Sequence, residues 1–350
     1  MTPAETLAWL VDIPSQTGQE GRIATAIAER LLPTMGARAV ERVGNSLIVG
    51  HRGGRPLITL FGHIDTVPSQ GQGPATIAAG RLHGLGASDM KAGVAVMIHL
   101  LEDPALPSSD FDVVGVFYAG EEGPHDGNEL EAVMLHAGWL EESELGIILE
   151  PTDGNLELGC QGVITARVAF LGAAAHSARP WLGENAVTKA AGWLHAMGER
   201  RPEPVIVGGL EFKEVMSITR ASGGIANNVI PSRFECTVNY RFAPDKTVAE
   251  AEAKLAVALA GVDEYVIVDA APAGRVEAGN VQLDRLAAIT GAARLPKQGW
   301  TDAARLSERS IPAVNYGPGE VEHAHKPDES VSLANLDAVL DHLRRFLLES

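Results

Sequence analysis

The sequence predicts an α/β fold in which a larger α/β domain carries an inserted, smaller α+β domain. Short apolar runs bounded by Gly, Pro or charged residues recur in the first half, as in LITLFG at 57–62. Such runs suit strands that are buried on both faces of a parallel sheet. Helical patterns alternate with them, which is the order of an α/β layer. Beyond residue 162 apolar and polar residues alternate, as in RFECTVNYR at 233–241, which indicates half-exposed strands.

The elements of the first domain follow from apolar spacing. Leu7, Leu10 and Val11 share one helical face, and apolar residues at helical spacing recur at Ile23, Ile27 and Leu31. The elements expected after them are strands at 39–43, 46–50 and 57–62, a helix at 94–101, a strand at 113–118, a helix at 128–140 and a strand at 144–149. This alternation predicts a largely parallel central sheet.

The inserted domain has a different texture. Strands are expected at 163–170, 233–241 and 265–268, with helices at 185–197 and 247–260. A helix at 281–290 and a buried strand at 311–316 then resume the first pattern. We therefore predict a first domain of residues 1–162 and 279–350, with residues 163–278 inserted as the second.

Composition narrows the class of protein. The 28 Lys and Arg against 45 Asp and Glu give a net charge of −17, which disfavours nucleic acid and anionic membranes as partners. The two cysteines form no CxxC motif, and the N-terminus lacks the basic and apolar segments of a signal peptide. No apolar run approaches the roughly 20 residues that span a bilayer. We expect a soluble, cytoplasmic protein.

Potential ligands follow the predicted strands. His63 and Asp65 come directly after LITLF, where His63 could bind a divalent metal while Asp65 orients its ring. Taken alone, this pair is more often a loop histidine hydrogen-bonded to its neighbour. Asp89 precedes a helix, and by itself it is best explained as a residue that favours the helix N-terminus.

Two further strands end in carboxylates. Glu121 and Glu122 follow one of them, and adjacent carboxylates repel each other unless they are solvated or neutralised by cations. A solvated turn explains the pair equally well. Glu150 follows the next strand, and near the C-terminus the spacing does not choose between His323 and His325. Together, these side chains form the inventory of a two-metal hydrolytic site, suited to Zn²⁺ with Co²⁺ or Mn²⁺ as replacements.

The motifs resemble those of the M20 metallopeptidase family, in the same order and across essentially the whole chain. They are GHIDTVP, GLGASDMKAG, AGEEG, ILEPT and AHKPDE. The resemblance implies two Zn²⁺ ions, one held by His63, Asp89 and Glu150 and the other by Asp89, Glu122 and His325. It also implies Glu121 as the general base and Asp65 as the residue that orients His63. His325 is preferred over His323 because the family's ligand precedes a polar stretch that ends in Glu.

The resemblance extends to the inserted domain, which serves as lid and dimerisation module in the family. It implies that His176, in AAHSARP, supports the oxyanion from the partner subunit of a homodimer. It also makes Asn228 and Arg241 candidates for binding a substrate carboxylate. In QGWTDAARL the corresponding substrate-side residues are Thr301, Asp302 and Arg305.

Three longer segments are similar to those of one subgroup of the family. They are EPTDGNLELGCQG, AHSARPWLGENAV and NYGPGEVEHAHKPDE. This similarity implies hydrolysis of N-succinyl-LL-2,6-diaminopimelate to succinate and LL-2,6-diaminopimelate, a step in lysine and diaminopimelate biosynthesis. A metal-bridging water would be the nucleophile, with Glu121 as its base. The alternatives are another amidase of the family, acting on N-acetylornithine, another N-acyl amino acid or a dipeptide, and a metal-binding scaffold without catalysis.

Overall fold

The computed structural model describes residues 1–349, and the chain divides into two compact units. Unit 1 comprises Met1–Gly159, Glu277–Leu295 and the chain from Thr301 onward, and unit 2 comprises Cys160–Val276 and Pro296–Trp300. The predicted boundaries, after residues 162 and 278, lie a few residues away from these. The return of Pro296–Trp300 to unit 2 was not predicted. It is held there by Trp300 Nε1, which donates a hydrogen bond to the carbonyl of Pro272 at 3.1 Å.

Unit 1 contains helices on a mixed sheet, and elements are numbered in chain order. Its helices are α1 (Pro3–Val11), α2 (Gly21–Met35), α3 (Ala92–Leu101), α4 (Leu130–His136), α7 (Val281–Thr290), α8 (Ala303–Glu308) and α9 (Leu333–Leu348). Its strands are β1 (Val40–Val43), β2 (Ser46–Val49), β3 (Leu57–His63), β4 (Thr76–Ala78), β5 (Arg81–His83), β6 (Asp112–Tyr118), β7 (Ser143–Ile148), β8 (Leu156–Leu158), β14 (Arg294–Pro296, whose last residue lies in unit 2), β15 (Ala313–Asn315) and β16 (Ser330–Ser332).

The large sheet of unit 1 has the strand order β1-β2-β6-β3-β7-β15-β8-β14. Its central strands β6, β3, β7 and β15 are parallel, and the sheet turns antiparallel where β2 joins β6 and where β8 joins β15. Every residue of β3 and β6 is buried, as strands covered on both faces require. The α/β prediction is confirmed, and the sheet is parallel at its centre only.

Local sequence explains where several helices begin. Thr2 and Glu5 form a capping box at α1, and the Ser332 side chain accepts the backbone N–H of Asn335 at α9. Helix α9 was not predicted, although Leu336, Val339, Leu343 and Phe346 are buried at helical spacing.

Among the described residues, no helix is both long and apolar enough to cross a membrane.

Unit 2 is an antiparallel sheet with helices. It contains β9 (Gly162–Leu171), α5 (Ala186–Gly198), β10 (Glu203–Val207), β11 (Leu210–Gly223), β12 (Arg233–Phe242), α6 (Val248–Ala258) and β13 (Glu264–Ala271), with the strand order β10-β11-β12-β9-β13. Strand β12 alternates, burying Val238, Tyr240 and Phe242 while Asn239 and Arg241 between them stay partly exposed. The prediction of a half-exposed strand is therefore confirmed for 233–241, whereas the strand predicted at 163–170, β9, is largely buried. The strands β10 and β11 were not predicted.

A buried carboxylate ties the elements of unit 2 together. Glu214 of β11 is 2% exposed, and it accepts hydrogen bonds from Tyr240 Oη at 2.8 Å, Ala243 N at 2.9 Å and Lys254 Nζ at 2.6 Å. Lys246 also donates to it. Burial by itself raises the pKa of Glu214, but these donors outweigh burial and lower the pKa to about 2.

Glu214→Gln is expected to lower the free energy of unfolding by about 1–3 kcal/mol at pH 7, because charge-assisted hydrogen bonds are lost. The folded-state pKa is depressed from 4.5, so the ionised carboxylate stabilises the fold above that pH and less as the pH falls towards 2. Urea unfolding at several pH values should therefore show the difference between wild type and variant shrinking below about pH 4.5. Glu235→Gln, at an exposed ion pair with Arg233, is the control, with an effect of about 0–1 kcal/mol. A pH-independent difference would contradict this account.

Candidate metal centre

The parallel strands β6, β3 and β7 bring their carboxyl ends to one edge of the sheet in unit 1. His63 is the last residue of β3 and pairs in register with Tyr118, the last residue of β6. The loop after β6 carries Glu121 and Glu122, and Glu150 follows β7 by two residues. Because parallel strands end at the same edge, these side chains gather although they are far apart in sequence.

The Glu121–Glu122 loop is held by the carboxylate of Asp65. Asp65 Oδ1 accepts the backbone N–H of Glu121 and Oδ2 that of Glu122, each at 3.1 Å. Thr17 Oγ1 donates to Asp65 Oδ2 at 2.9 Å. The Nδ1 atom of His63 lies 3.1 Å from the Asp65 carbonyl oxygen and 3.5 Å from Asp65 Oδ1. Asp65 thus contacts both the His63 ring and the backbone of the adjacent carboxylates.

Asp89 lies between two histidines. Its Oδ1 is 3.1 Å from His63 Nε2, and its Oδ2 is 3.3 Å from His325 Nε2. Glu150 Oε1 is 3.8 Å from the same nitrogen of His63, and Glu122 Oε1 is 2.9 Å from that of His325. The five side chains therefore form two groups that share Asp89, one with His63 and Glu150 and one with Glu122 and His325.

A glycine permits helix α3 to lie close to the segment that carries Glu150. Helix α3 begins three residues after Asp89, and a Cβ atom on its Gly93 would lie 2.3 Å from the carbonyl oxygen of Leu149. Any side chain at this position would push the helix away from the segment that carries Glu150. The GLGASDMKAG motif therefore includes a packing requirement as well as a candidate ligand.

The donor set fits divalent metal ions. Ligand atoms of His63, Asp89 and Glu122 all lie within 4.8 Å of one another. Ligands about 2.1 Å from a tetrahedral Zn²⁺ are separated from each other by roughly 3.4 Å, close to the distances around both histidines. Imidazole nitrogen and carboxylate oxygen are also the ligand types that Zn²⁺ accepts.

The electrostatics of the edge are dominated by crowded carboxylates. Burial raises the pKa of Glu121 well above its ordinary value. The charges of Glu150, Asp302 and Glu122 raise it further, and His63 opposes the rise.

The pKa values of His325 and Asp89 shift in opposite directions because the two side chains are in contact. The contacts of His325 with Asp89 and Glu122 raise the pKa of His325 to about 11. Hydrogen bonds from His325 and His63 outweigh burial and lower the pKa of Asp89. A cation at this position would relieve the repulsion among these carboxylates.

Comparison with known proteins identifies the family. Residues 59–349 match the model of peptidase family M20/M25/M40. The chain belongs to this family. A Mycobacterium tuberculosis protein described as "Putative succinyl-diaminopimelate desuccinylase DapE" is 38% identical over 348 residues, which cover 99% of this chain and 98% of the relative. A Corynebacterium glutamicum succinyl-diaminopimelate desuccinylase is 35% identical over 349 residues, covering 97% and 94%.

Solved structures support the same fold. A tripeptidase from Staphylococcus aureus superposes with a TM-score of 0.80 at 20% identity, covering 99% of this chain and 96% of that one. At this identity the match concerns the fold alone. Membership of family M20/M25/M40 makes the chain a metal-dependent hydrolase, and the group of His63, Asp89 and Glu122 is its candidate site for a divalent ion.

Three predicted substrate-side residues of this M20 chain are buried in unit 1. Thr301 Oγ1 donates to Asn315 Oδ1 at 2.9 Å. Asp302 Oδ2 accepts a hydrogen bond from Asn128 Nδ2 at 2.9 Å, and Asp302 Oδ1 lies 2.8 Å from Arg305 Nε. Arg305 also donates to the carbonyl of His125, in the loop that follows Glu122. Arg305 and Asp302 thus brace the loop that carries Glu121 and Glu122, and direct contact with a substrate would require these side chains to leave their partners.

The remaining predicted residues lie in unit 2. His176 and Asn228 are exposed on adjacent loops, where Ser177 N donates to the Asn228 carbonyl at 2.9 Å and Ile230 N to that of Ala175 at 2.8 Å. The two motifs that were linked only by resemblance are therefore neighbours. Arg241 lies near the end of β12 and donates to Asn239 Oδ1 at 3.0 Å.

Sequence patterns missed several residues that support the centre. Thr17 and Asn128 hold Asp65 and Asp302 but lie in stretches that were assigned no function. Glu329 was part of the quoted AHKPDE motif, yet it received no role. Its place four residues after His325, at the end of the motif, was the available signal. His125, a residue that the sequence motifs do not include, contacts Arg305.

Arg305→Met is expected to destabilise the protein by about 3–5 kcal/mol, because it leaves the carboxylate of Asp302 buried without its cation. Asp302 is 0% exposed and Arg305 is 6% exposed. Arg344→Met, at a half-exposed ion pair with Asp103, is the matched control, with a cost of about 0–1 kcal/mol. Chemical denaturation measures both, and the additional change Asp302→Asn should recover part of the loss. Equal costs for the two Arg variants would refute the buried-pair interpretation.

Proposed function

We propose that this chain hydrolyses N-succinyl-LL-2,6-diaminopimelate to succinate and LL-2,6-diaminopimelate, a step in lysine and diaminopimelate biosynthesis. The observation that carries the proposal is the arrangement of Asp89 between His63 and His325, beside Glu121, in a chain similar over its full length to desuccinylases. The alternative substrates, N-acetylornithine, other N-acyl amino acids and dipeptides, would use the same centre.

Two Zn²⁺ ions are proposed as the cofactors, with Co²⁺ or Mn²⁺ as replacements. His63, Asp89 and Glu150 would hold one ion, and Asp89, Glu122 and His325 the other. When bound, such ions polarise an amide carbonyl and lower the pKa of water. The distances of 2.9–3.8 Å around the two histidine nitrogens support this assignment.

Glu121 is proposed as the general base. Its carboxylate would accept a proton from water, and the water oxygen would then attack the carbonyl carbon of the amide. The same carboxyl would return the proton to the amine nitrogen as the C–N bond breaks. One contact supports this role: Asp65 Oδ1 accepts the backbone N–H of Glu121 and so holds Glu121 in the loop beside Glu122.

Unit 2 is proposed to serve as lid and dimerisation domain of a homodimer, while unit 1 is the catalytic domain. His176 would donate a hydrogen bond to the developing oxyanion, and Asn228 and Arg241 would bind a substrate carboxylate. The hydrogen bonds that join the His176 and Asn228 loops support a shared role. For Thr301, Asp302 and Arg305, their buried partners favour indirect support of the substrate side. Both cysteines are buried, in keeping with a cytoplasmic setting.

Turnover by the zinc-loaded protein should be measured on N-succinyl-LL-2,6-diaminopimelate, N-acetylornithine and a set of simple dipeptides. The succinyl substrate is expected to give the highest kcat/KM. A higher value for N-acetylornithine or a dipeptide would replace the proposed substrate while keeping the site. If none of these compounds is hydrolysed, the result would favour the non-catalytic scaffold.

Glu121→Gln is expected to lower kcat by a factor of about 10²–10⁴, because the amide cannot accept the proton from water. Bound zinc, measured by elemental analysis after dialysis, should equal that of the wild type, since Glu121 is not a proposed ligand. Asp126→Asn changes an exposed carboxylate in the same loop and is the control, which should keep its activity. Near-normal turnover by Glu121→Gln would remove Glu121 from this role.

Mixing two inactive variants tests whether His176 acts across the dimer. If it does, His176→Ala and Glu121→Ala subunits should regain activity after exchange, because each heterodimer then contains one intact site. About a quarter of wild-type activity is expected from random pairing with one intact site in half of the dimers. Mass measurement of the mixture verifies exchange, and no recovery in verified heterodimers would count against action in trans.

A further inference from the structure

Glu329 is a buried carboxylate that the proposed mechanism does not use. It is 2% exposed and lies four residues after His325. Its Oε2 accepts the backbone N–H of Gly86 at 3.0 Å. Its Oε1 accepts those of Ser88 at 2.9 Å and Asp89 at 3.0 Å. Three backbone donors of one loop therefore converge on a single carboxylate, and charge-assisted hydrogen bonds of this kind are stronger than neutral ones.

The loop that Glu329 holds leads directly to Asp89. Gly86 adopts a left-handed conformation, with φ of 77°, and regular α-helix begins only at Ala92. Repeating α-helical hydrogen bonds therefore do not fix the backbone at Asp89. The Glu329 carbonyl oxygen also accepts Gly84 N at 3.0 Å, at the start of the same loop. Glu329 thus binds the loop at both ends.

The His325 segment needs an external constraint of its own. His325 has φ of 60°, a left-handed conformation that is uncommon for residues other than glycine. Gln70 Nε2 donates to the His325 carbonyl at 3.0 Å, and Gln72 Nε2 donates to that of Lys326 at 3.1 Å. Glu329 N closes the turn by donating to the Lys326 carbonyl at 3.1 Å. The backbone of Glu329 therefore belongs to the His325 turn, while its side chain belongs to the Asp89 loop.

We propose that Glu329 is a positioning residue that fixes the separation of Asp89 and His325, and so sets the metal affinity of the centre. Asp89 Oδ2 and His325 Nε2 are 3.3 Å apart, and Glu329 connects the two backbone segments that carry them. This inference rests on the ligand assignment under Proposed function. Residues that orient ligands from behind commonly change metal affinity by 10–100-fold when they are replaced.

The test compares Glu329→Gln with Glu320→Gln. In Glu329→Gln one oxygen becomes an NH₂ donor that faces a backbone N–H, so at least one hydrogen bond to the loop is lost. Glu320 is a matched control because its carboxylate, 18% exposed, binds Arg81 and Ser332 N at 3.0 Å rather than the Asp89 loop. Zinc affinity is measured by competition with a chelator, and circular dichroism verifies folding.

Glu329→Gln is expected to bind zinc about 10–100-fold more weakly, while Glu320→Gln stays within about twofold of the wild type. Unchanged zinc affinity in Glu329→Gln, or an equal loss in both variants, would overturn the proposal. If Glu329→Gln does not fold, Glu329→Asp decides. Its carboxylate keeps the charge but is shorter by about 1.5 Å, so it should bind zinc more weakly than the wild type, and wild-type affinity would overturn the proposal.

His325→Ala and His323→Ala test the ligand assignment separately in the same assay. His325→Ala should lose about one of the two zinc ions, since a metal site that loses one of its few ligands binds far more weakly. His323→Ala should lose none. If His325→Ala keeps both ions, the ligand assignment is wrong. If His325→Ala loses an ion while Glu329→Gln binds normally, only the role of Glu329 is wrong.

Discussion

The crowding of carboxylates around Asp89 is the constraint on which unit 1 depends. Asp89 directs one oxygen towards His63 and the other towards His325, while Glu122 and Glu150 approach from neighbouring strand ends. Like charges at these separations repel one another, so the arrangement needs cations and firm backbone support. Membership of a metal-dependent hydrolase family accounts for the cations. The fold supplies the backbone support.

Two carboxylates outside the proposed ligand set supply that support in the same way. Asp65 accepts the backbone N–H groups of Glu121 and Glu122, and Glu329 accepts those of Gly86, Ser88 and Asp89. In each case a buried anion replaces the regular hydrogen bonding that an irregular loop lacks. The loops that carry the proposed ligands are therefore held by side chains from distant segments rather than by their own secondary structure. This explains how loops can position a centre that requires accuracy.

Much of the fold could be predicted because its signals are local. The buried runs that became β3, β6 and β7 stand out as apolar segments between Gly and charged residues, and their carboxyl ends pointed to His63, Glu121 and Glu150. Other elements gave weaker signals. Strand β11, with fourteen residues, is largely exposed and mixes charged with apolar side chains, so no clear alternation marks it. The short strand β16 depends on pairing with β5 across a long stretch of sequence.

The sequence by itself determined the residue types proposed for the centre, their order along the chain and the α/β class, because apolar periodicity and motif spacing are properties of neighbouring residues. Only the tertiary structure decided that Asp89 separates His63 from His325, that Arg305 is buried against Asp302, and that Glu329 reaches the Asp89 loop. These contacts join residues as much as 240 positions apart. They depend on how strands and loops pack in three dimensions. A pattern among neighbouring residues carries no information about residues so far apart in the sequence.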